Sequence, residues 1–416
     1  MKKIAFILLI ALVGMCAVAY SQPAGEHIPT VGYTFGLTKM TLEQAVMLLV
    51  AVFLAYLSIA KKYEPLLLLP LAFGIMLANI PVAGLDAYYV FDDGRIGLMN
   101  FLYKGIIYVI YPPLIFMCIG TMTDFGPLIA SPKNALIGIG GQLGIFIAFF
   151  GAFFLLGEGT WLANLIPGFD GFTPGEAASI GIIGSSDGPT SIFAASRMAP
   201  EILPTVAIAA FSYMALVPFI QPPIMRWLTT DKERVIVMPE PKKVTQRQKI
   251  IFPIAMTIIV LLLVPAAGAL IGMFMLGNLI RESGVTGRYL ETLQNAFLNI
   301  LTLLVALSIG SSATAEKFLT TTTLIVIFLG LVAFGFGTVG GVLVAKLLCK
   351  ITGGKINPLI GNSGVSAMPM AARISQKLGR EYNSNNHLLM HAMGPIVSST
   401  IGSAIIAGIF IKLYGG

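Results

Sequence analysis

Charge is what this sequence has least of. Only 11% of its 416 residues are Asp, Glu, Lys or Arg, less than half of the roughly 25% found in ordinary soluble domains. A soluble domain needs a charged shell, and this chain cannot supply one. A globular enzyme, a disordered chain and a disulfide scaffold are excluded on that ground. The three cysteines, Cys16, Cys118 and Cys349, all lie in apolar context and read as packing residues rather than redox groups or metal ligands. No G-x-x-x-x-G-K-S/T run is present, since Gly353-Gly354-Lys355 lacks the upstream glycine, so the chain is no ATP-driven pump by itself. The absence of a Rossmann fingerprint or a haem motif argues against electron transport. Energy must come from an ion gradient or from a partner's chemistry.

What is abundant is apolar sequence, at 56% of residues. Runs of about 18 or more apolar residues recur from end to end, each long enough to cross a hydrocarbon core of roughly 30 Å. The fold class is therefore all-α and polytopic in a lipid bilayer, with about 10 transmembrane helices plus two re-entrant helical hairpins. The net charge of +7 is what positive-inside loops produce, and nucleic acid need not be invoked. Residues 1–22, with Lys2 and Lys3 before an apolar stretch, read as a secretory signal, either cleaved or kept as an extra first helix. The interval 228–249, with Lys232, Arg234, Lys242, Lys243, Arg247 and Lys249, reads as a basic cytoplasmic loop. It separates a first membrane repeat, 41–227, from a second, 250–416. The block 250–280 can cross once or twice. A single crossing leaves Lys346, Lys350 and Lys355 outside and a double one, broken near Pro265, puts them inside; the double crossing is favoured because LLLVP and LGN (261–265, 276–278) echo LLLLP and LAN (66–70, 77–79).

Several echoes suggest that the halves are repeats. LLLLP and LAN (66–70, 77–79) match LLLVP and LGN (261–265, 276–278). IGTMT (119–123) matches IGSSA (309–313), and IGSSDGPTSIFAASR (183–197) matches IGNSGVSAMPMAAR (360–373). With five crossings each, the halves have opposite orientation, the inverted repeat of many secondary transporters.

The hairpins 176–198 and 357–378 are crowded with Gly, Ser and Pro. In lipid, irregular backbone survives only when buried in protein or lining a wet cavity. Asp187, in Ser185-Ser186-Asp187-Gly188-Pro189-Thr190, is the sharpest residue, because an ionisable group at membrane depth is costly. Its plain reading is a helix cap. Its functional reading is a carboxylate that alternates between a cation and a proton, with Ser185, Ser186 and Thr190 completing an oxygen shell. The second hairpin offers Asn357, Ser363, Ser366 and Arg373 but no carboxylate, which suits a monovalent cation. Arg373 can hold an anionic substrate group or simply snorkel; for Arg197 the second reading is preferred. Tyr213 is either a proton relay or packing. His387 and His391, spaced i and i+4, read as helix-end packing before metal ligands.

These residues resemble a known family, the membrane β subunit of Na+-translocating biotin-dependent decarboxylases. The resemblance runs from about residue 40 to the C-terminus. It is carried by KKYEPLLLLPLAFGIMLANIP (61–81), IGTMTDFGPLIA (119–130), GIIGSSDGPTSIFAASR (181–197), MLGNLIRESGV (275–285), NPLIGNSGVSAMPMAAR (357–373) and HAMGP (391–395). It implies a subunit that decarboxylates carboxybiotin, consumes a proton and exports Na+ across a bacterial cytoplasmic (inner) membrane. Oxaloacetate, methylmalonyl-CoA, glutaconyl-CoA or malonate would be the primary substrate. A carboxyltransferase subunit, a biotin carrier and a small membrane anchor would be its partners, around a homotrimeric core. By position, Asp187 matches the family's sodium-site aspartate and Asn357 its second-hairpin asparagine. Gly361, Ser366 and Arg373 match its glycine, its Na+/proton-linked serine and the arginine that meets carboxybiotin, and Tyr213 matches the tyrosine paired with that serine. Two features depart: Ile396 stands where the family usually has Asn, and the signal-like N-terminus is additional. The chain has no A-M-K-M biotinylation motif, so carboxybiotin must arrive on another polypeptide. The rival readings are a sodium-coupled carboxylate symporter of elevator type and a passive membrane anchor.

Overall fold

The computed structural model describes residues 39–240, 243–368 and 370–415; the signal-like segment 1–22 lies outside them. The described residues form helices and no strands, only two isolated bridges. In chain order the principal helices begin with α1 (Leu42–Lys61), α2 (Pro65–Ala78), α3 (Leu98–Ile107), α4 (Tyr111–Met122) and α5 (Pro132–Leu155). Next come α6 (Pro174–Ile183), α7 (Gly188–Met198), α8 (Leu203–Leu228), α9 (Gln246–Leu263) and α10 (Gly268–Ser283). The last are α11 (Gly287–Ser312), α12 (Thr321–Ile351), α13 (Met370–Tyr382) and α14 (Leu389–Tyr414).

Six of these, α1, α5, α9, α11, α12 and α14, are long and apolar enough to cross a membrane. Counting the bent pair α3–α4 and the two halves of α8 raises the number to eight, against the ten or so expected from sequence. Helices α2 and α10, at 14 and 16 residues, are about 21 and 24 Å long and fall short of a full span.

The chain divides into two compact units, one of residues up to Tyr108 with Thr302–Thr323, the other of Val109–Leu301 with Leu324–Gly416. In the first, a capping box between Thr41 and Gln44 starts α1. Lys62 and Glu64, both at positive φ, turn the chain into α2. Asn79, at the end of α2, is buried. Its amide donates to the carbonyls of Ile75 (2.8 Å) and Ala313 (2.9 Å), and its Oδ1 accepts from the Ala315 N–H (2.8 Å).

In the second unit α9 and α10 pack against each other across a break at Pro265–Ala267, so 250–280 is a helix pair broken at Pro265. Asn278, near the end of α10, donates to the Thr123 carbonyl at 2.7 Å. Residues 79 and 278, and 313 and 123, are the positions the sequence echoes align, so both units contain the same asparagine-to-carbonyl link. One echo is misplaced: Pro265 precedes the second helix of its pair, as Pro65 does, whereas Pro70 lies inside α2.

Candidate functional site

The first hairpin starts at a second capping box, between Thr173 and Glu176. Helix α6 then runs to Ile183, and the chain turns through Gly184–Ser186, with Ser186 at φ 56°. That is the left-handed region, uncommon for a residue with a side chain. Asp187 caps α7, its Oδ1 accepting from the Thr190 N–H at 3.2 Å. Its plain reading as a helix cap is thus observed, and it accounts for one oxygen only. Oδ2 accepts from the Thr190 hydroxyl at 2.7 Å and the Ser403 hydroxyl at 3.1 Å. The residue is 6% exposed. Burying an ionised carboxylate demands compensation, and among the described residues no lysine, arginine or histidine is paired with it; hydroxyls and one backbone N–H are its partners.

The second hairpin differs in form. Its first arm, Pro358–Gly364, is a 3-10 stretch rather than an α-helix, followed by extended backbone and then α13. The two tips touch, with the Ser366 N–H donating to the Ser185 carbonyl at 2.9 Å. Ser366 also donates its hydroxyl to Ser399 Oγ at 3.0 Å, and Gln142 Nε2 donates to the same oxygen at 3.0 Å. Ser399 and Ser403 lie one turn apart on α14, so neighbouring hydroxyls of one helix serve the two hairpins. Among the described residues, two buried side-chain oxygens here have no hydrogen-bond partner, Ser186 Oγ and Gln142 Oε1. Unpaired buried acceptors are rare, and a carboxylate with neutral oxygens suits a hard monovalent cation.

Ser403, Ser399 and Gln142 are absent from the sequence-based set. The only available signal was hydroxyl spacing in SSTIGS (398–403), which ordinary helix packing also produces. Of the expected residues, Asp187, Ser186, Thr190 and Ser366 fall on the two hairpin tips that touch. Four others lie away from that contact. The buried Asn357 amide donates to the carbonyls of Arg234 (3.0 Å) and Ile236 (2.8 Å), and its Oδ1 accepts from the Leu359 N–H (3.0 Å); it shares no hydrogen bond with Asp187. The Tyr213 hydroxyl donates to the Ile327 carbonyl on α12 and not to Ser366. Gly361 is a packing residue, because a Cβ there would lie 2.4 Å from Val342 Cα. Arg373, like Arg197, is exposed and has no ion pair among the described residues. His387 is exposed ahead of α14, whereas His391 is buried in its first turn.

Asn357 belongs to a strap. Asn383 and Asn386 join it in donating to the consecutive carbonyls of 234–236, at 3.1 and 2.8 Å. The buried Arg234 side chain pins the same segment from below. It bonds Asp231 (2.6 Å), Thr229 Oγ1 (2.8 Å) and the Tyr382 hydroxyl (3.0 Å), and it stacks on the Tyr382 ring. A separate ionic cluster joins the ends of α4, α9 and α10. In it Lys249 meets Asp124 at 2.8 Å and Arg281 meets Glu282 at 3.4 Å. Burial alone would raise the Asp124 carboxyl, but the Lys249 hydrogen bond, the Gly126 N–H and the charges of Lys249 and Arg281 hold it below its ordinary value.

Comparison with known proteins gives one consistent result. Residues 43–414 match the family model described as Na+-transporting oxaloacetate decarboxylase beta subunit. Glutaconyl-CoA decarboxylase subunit beta of Acidaminococcus fermentans is 50% identical over 381 residues, covering 92% of this chain and 96% of that protein. Methylmalonyl-CoA decarboxylase subunit beta of Propionigenium modestum is 48% identical over 400 residues, covering 92% and 98%. Oxaloacetate decarboxylase beta chain 2 of Salmonella typhi is 46% identical over 426 residues, covering 91% and 96%.

Proposed function

The chain belongs to the β-subunit family of Na+-transporting decarboxylases, and from that premise we propose that it decarboxylates carboxybiotin brought by a partner and couples the reaction to Na+ export. In the step, the bond from the ureido nitrogen to the carboxyl carbon breaks, CO2 leaves, and the nitrogen takes up one proton. Asp187 holds the ion, with Thr190, Ser186 and Ser403 as its oxygen neighbours. Ser366, bonded to Ser399, sits where the second tip can sense whether that ion is present. Moving one Na+ against 100 mV costs about 2.3 kcal/mol, within reach of a favourable decarboxylation. A carboxyltransferase subunit, a biotin carrier and a small membrane anchor complete the complex around a β trimer in the bacterial inner membrane. Ten crossings in two inverted halves fit this reading, with α2 and α10 counted as short crossings. Support for the repeat comes from the matching Asn79 and Asn278 links. Membership of a decarboxylase family sets the symporter aside.

The observation that carries the proposal is the buried Asp187 carboxylate at the meeting of two hairpin tips, beside buried oxygens that lack partners. Asp187→Asn keeps a capping side chain for α7 but removes the charge. Membranes carrying it are expected to assemble the complex and to lose Na+-stimulated CO2 release. Retention of that stimulation would remove Asp187 from the ion path.

A further inference from the structure

The break between α9 and α10 and the end of α14 enclose a groove of about 360 Å³, within the size range of small-molecule sites. One wall is Leu263–Ala266, the other Ile409, Lys412 and Leu413. Every lining residue is apolar except Lys412, which is exposed and forms no ion pair among the described residues. The depth of the groove follows from α14. Its first turn carries His391, which shares a cleft with Met238–Glu240 of the basic loop, so that end of the helix lies on the basic face. Gly408 packs on the break so closely that a Cβ would lie 2.7 Å from the Ala267 nitrogen. Measured from Leu389, where α14 begins, Gly408 is about 28 Å along the helix and Lys412, a turn further, about 34 Å. A hydrocarbon core is roughly 30 Å thick. The apolar walls therefore lie at the far edge of that core, with the ammonium group of Lys412 at the level of the head groups. Apolar chain fills such a space better than water, which would find Lys412 as its one side-chain partner.

We propose that this groove is the site of one anionic phospholipid from the leaflet opposite the basic loop. The lipid phosphate meets Lys412 in a charge-assisted hydrogen bond, and one acyl chain lies between Leu263–Ala266 and Ile409. A lysine at a helix end snorkels toward head groups in general. What selects a lipid here is the concavity beside it, which holds a chain within reach of the one cation. A basic group beside a crevice between membrane helices is the pattern that recognises anionic head groups. Among the described residues no carboxylate lines the groove to repel the phosphate. A zwitterionic lipid offers the same chains and the same phosphate, but it brings its own ammonium group toward Lys412, so net charge decides between the two. The seated lipid bridges the α9–α10 break to the helix that carries Ser399 and Ser403, and so braces the far end of that helix.

The test uses the full chain, purified with the subunits that accompany it, in phosphatidylcholine nanodiscs. A minor fraction of the lipid is a probe with a diazirine on its acyl chain, either phosphatidylglycerol or phosphatidylcholine. After irradiation, peptide mapping reads the labelling of residues 263–266 and 409–413. Labelling at Phe328, 64% exposed on α12, corrects for the abundance of each probe. Phosphatidylglycerol is expected to label the groove about fivefold more than phosphatidylcholine, which corresponds to about 1 kcal/mol for one lysine near a membrane surface. Lys412→Gln should bring the two probes to equality, and Lys412→Arg should keep the preference. Excess glycerol 1-phosphate should leave the labelling unchanged. Equal labelling of the native groove by both probes would mean ordinary surrounding lipid and would overturn the site. A preference that survives Lys412→Gln, or one that glycerol 1-phosphate abolishes, would overturn it as well. So would a groove that neither probe labels, because a protein segment then covers it.

Discussion

The two hairpins share an Ile-Gly opening and an Ala-Ala-Arg close, with Ser196 inserted before the arginine in the first, yet they divide the work differently. The first is helix–turn–helix, with a carboxylate capping its second helix and a strained serine beside it. Aligning the echoes puts Gly364 of the second hairpin where the first has Asp187. There the polar groups are amides and hydroxyls that saturate one another. Asn362 donates to Gln221 Oε1 and to the Ala371 carbonyl, both at 2.9 Å, and accepts from Ser375 at 2.5 Å. One tip carries the charge and keeps an unpaired hydroxyl, that of Ser186; the other is a fixed framework. The difference teaches that two touching hairpins need only one titratable group between them, provided the other holds the contact still.

The hardest test of this asymmetry is to reverse it. Asp187→Gly with Gly364→Asp moves the carboxylate to the second tip, where a Cβ would lie 2.6 Å from the Ile137 carbonyl. That neighbour is backbone and cannot yield. The expected cost is about 3 kcal/mol, at the upper end for overpacking, seen as loss of folded protein in detergent thermal-inactivation assays. Next in size is Asn362→Leu, which strands Gln221 and Ser375. It should destabilise by about 2 kcal/mol and leave the Na+ concentration for half-maximal activity unchanged. A shift in that concentration would mean that the framework tip also binds the ion. Ser403→Ala removes one hydroxyl from Asp187 and costs about 1 kcal/mol, so half-saturation by Na+ should rise about fivefold with folding intact.

The smallest effect lies outside both hairpins. Because Lys249 holds Asp124 below its ordinary value, the stabilisation is complete above the unfolded-state pKa and disappears as pH falls through the folded one. Thermal stability should therefore decline across the acid range, by about 1 kcal/mol for a pair whose side chains are 20% and 24% exposed. Asp124→Asn should remove that part of the decline without moving the Na+ response. Were the Na+ response to move, the ionic cluster would be coupled to the tips.

Much of this was legible in the sequence because membranes punish irregularity. A segment dense in Gly, Ser and Pro between apolar runs had to be a protected hairpin, and a lone aspartate within it had to be compensated. The Asn-to-carbonyl links were legible as LAN and LGN, although nothing in the letters said what those asparagines held. Asn357 was harder, because a capping, a strapping and an ion-binding asparagine look alike until the carbonyls of 234–236 are seen on its amide. Ser399 and Ser403 were invisible for a similar reason: a hydroxyl that returns its bond to its own helix gives the same pattern. The short α2 and α10 show that apolar length sets a ceiling on the number of crossings and does not fix it.

Pro395 lies within α14, four residues after His391 and four before Ser399. It has no N–H to bond the His391 carbonyl, so the helix is loosest there. Both serines lie on the same side of that joint. A bend at Pro395 therefore re-aims the first turn while leaving the spacing from Ser399 to Ser403 untouched. The two tips stay phased to each other, like cams on one shaft whose coupling sits above both.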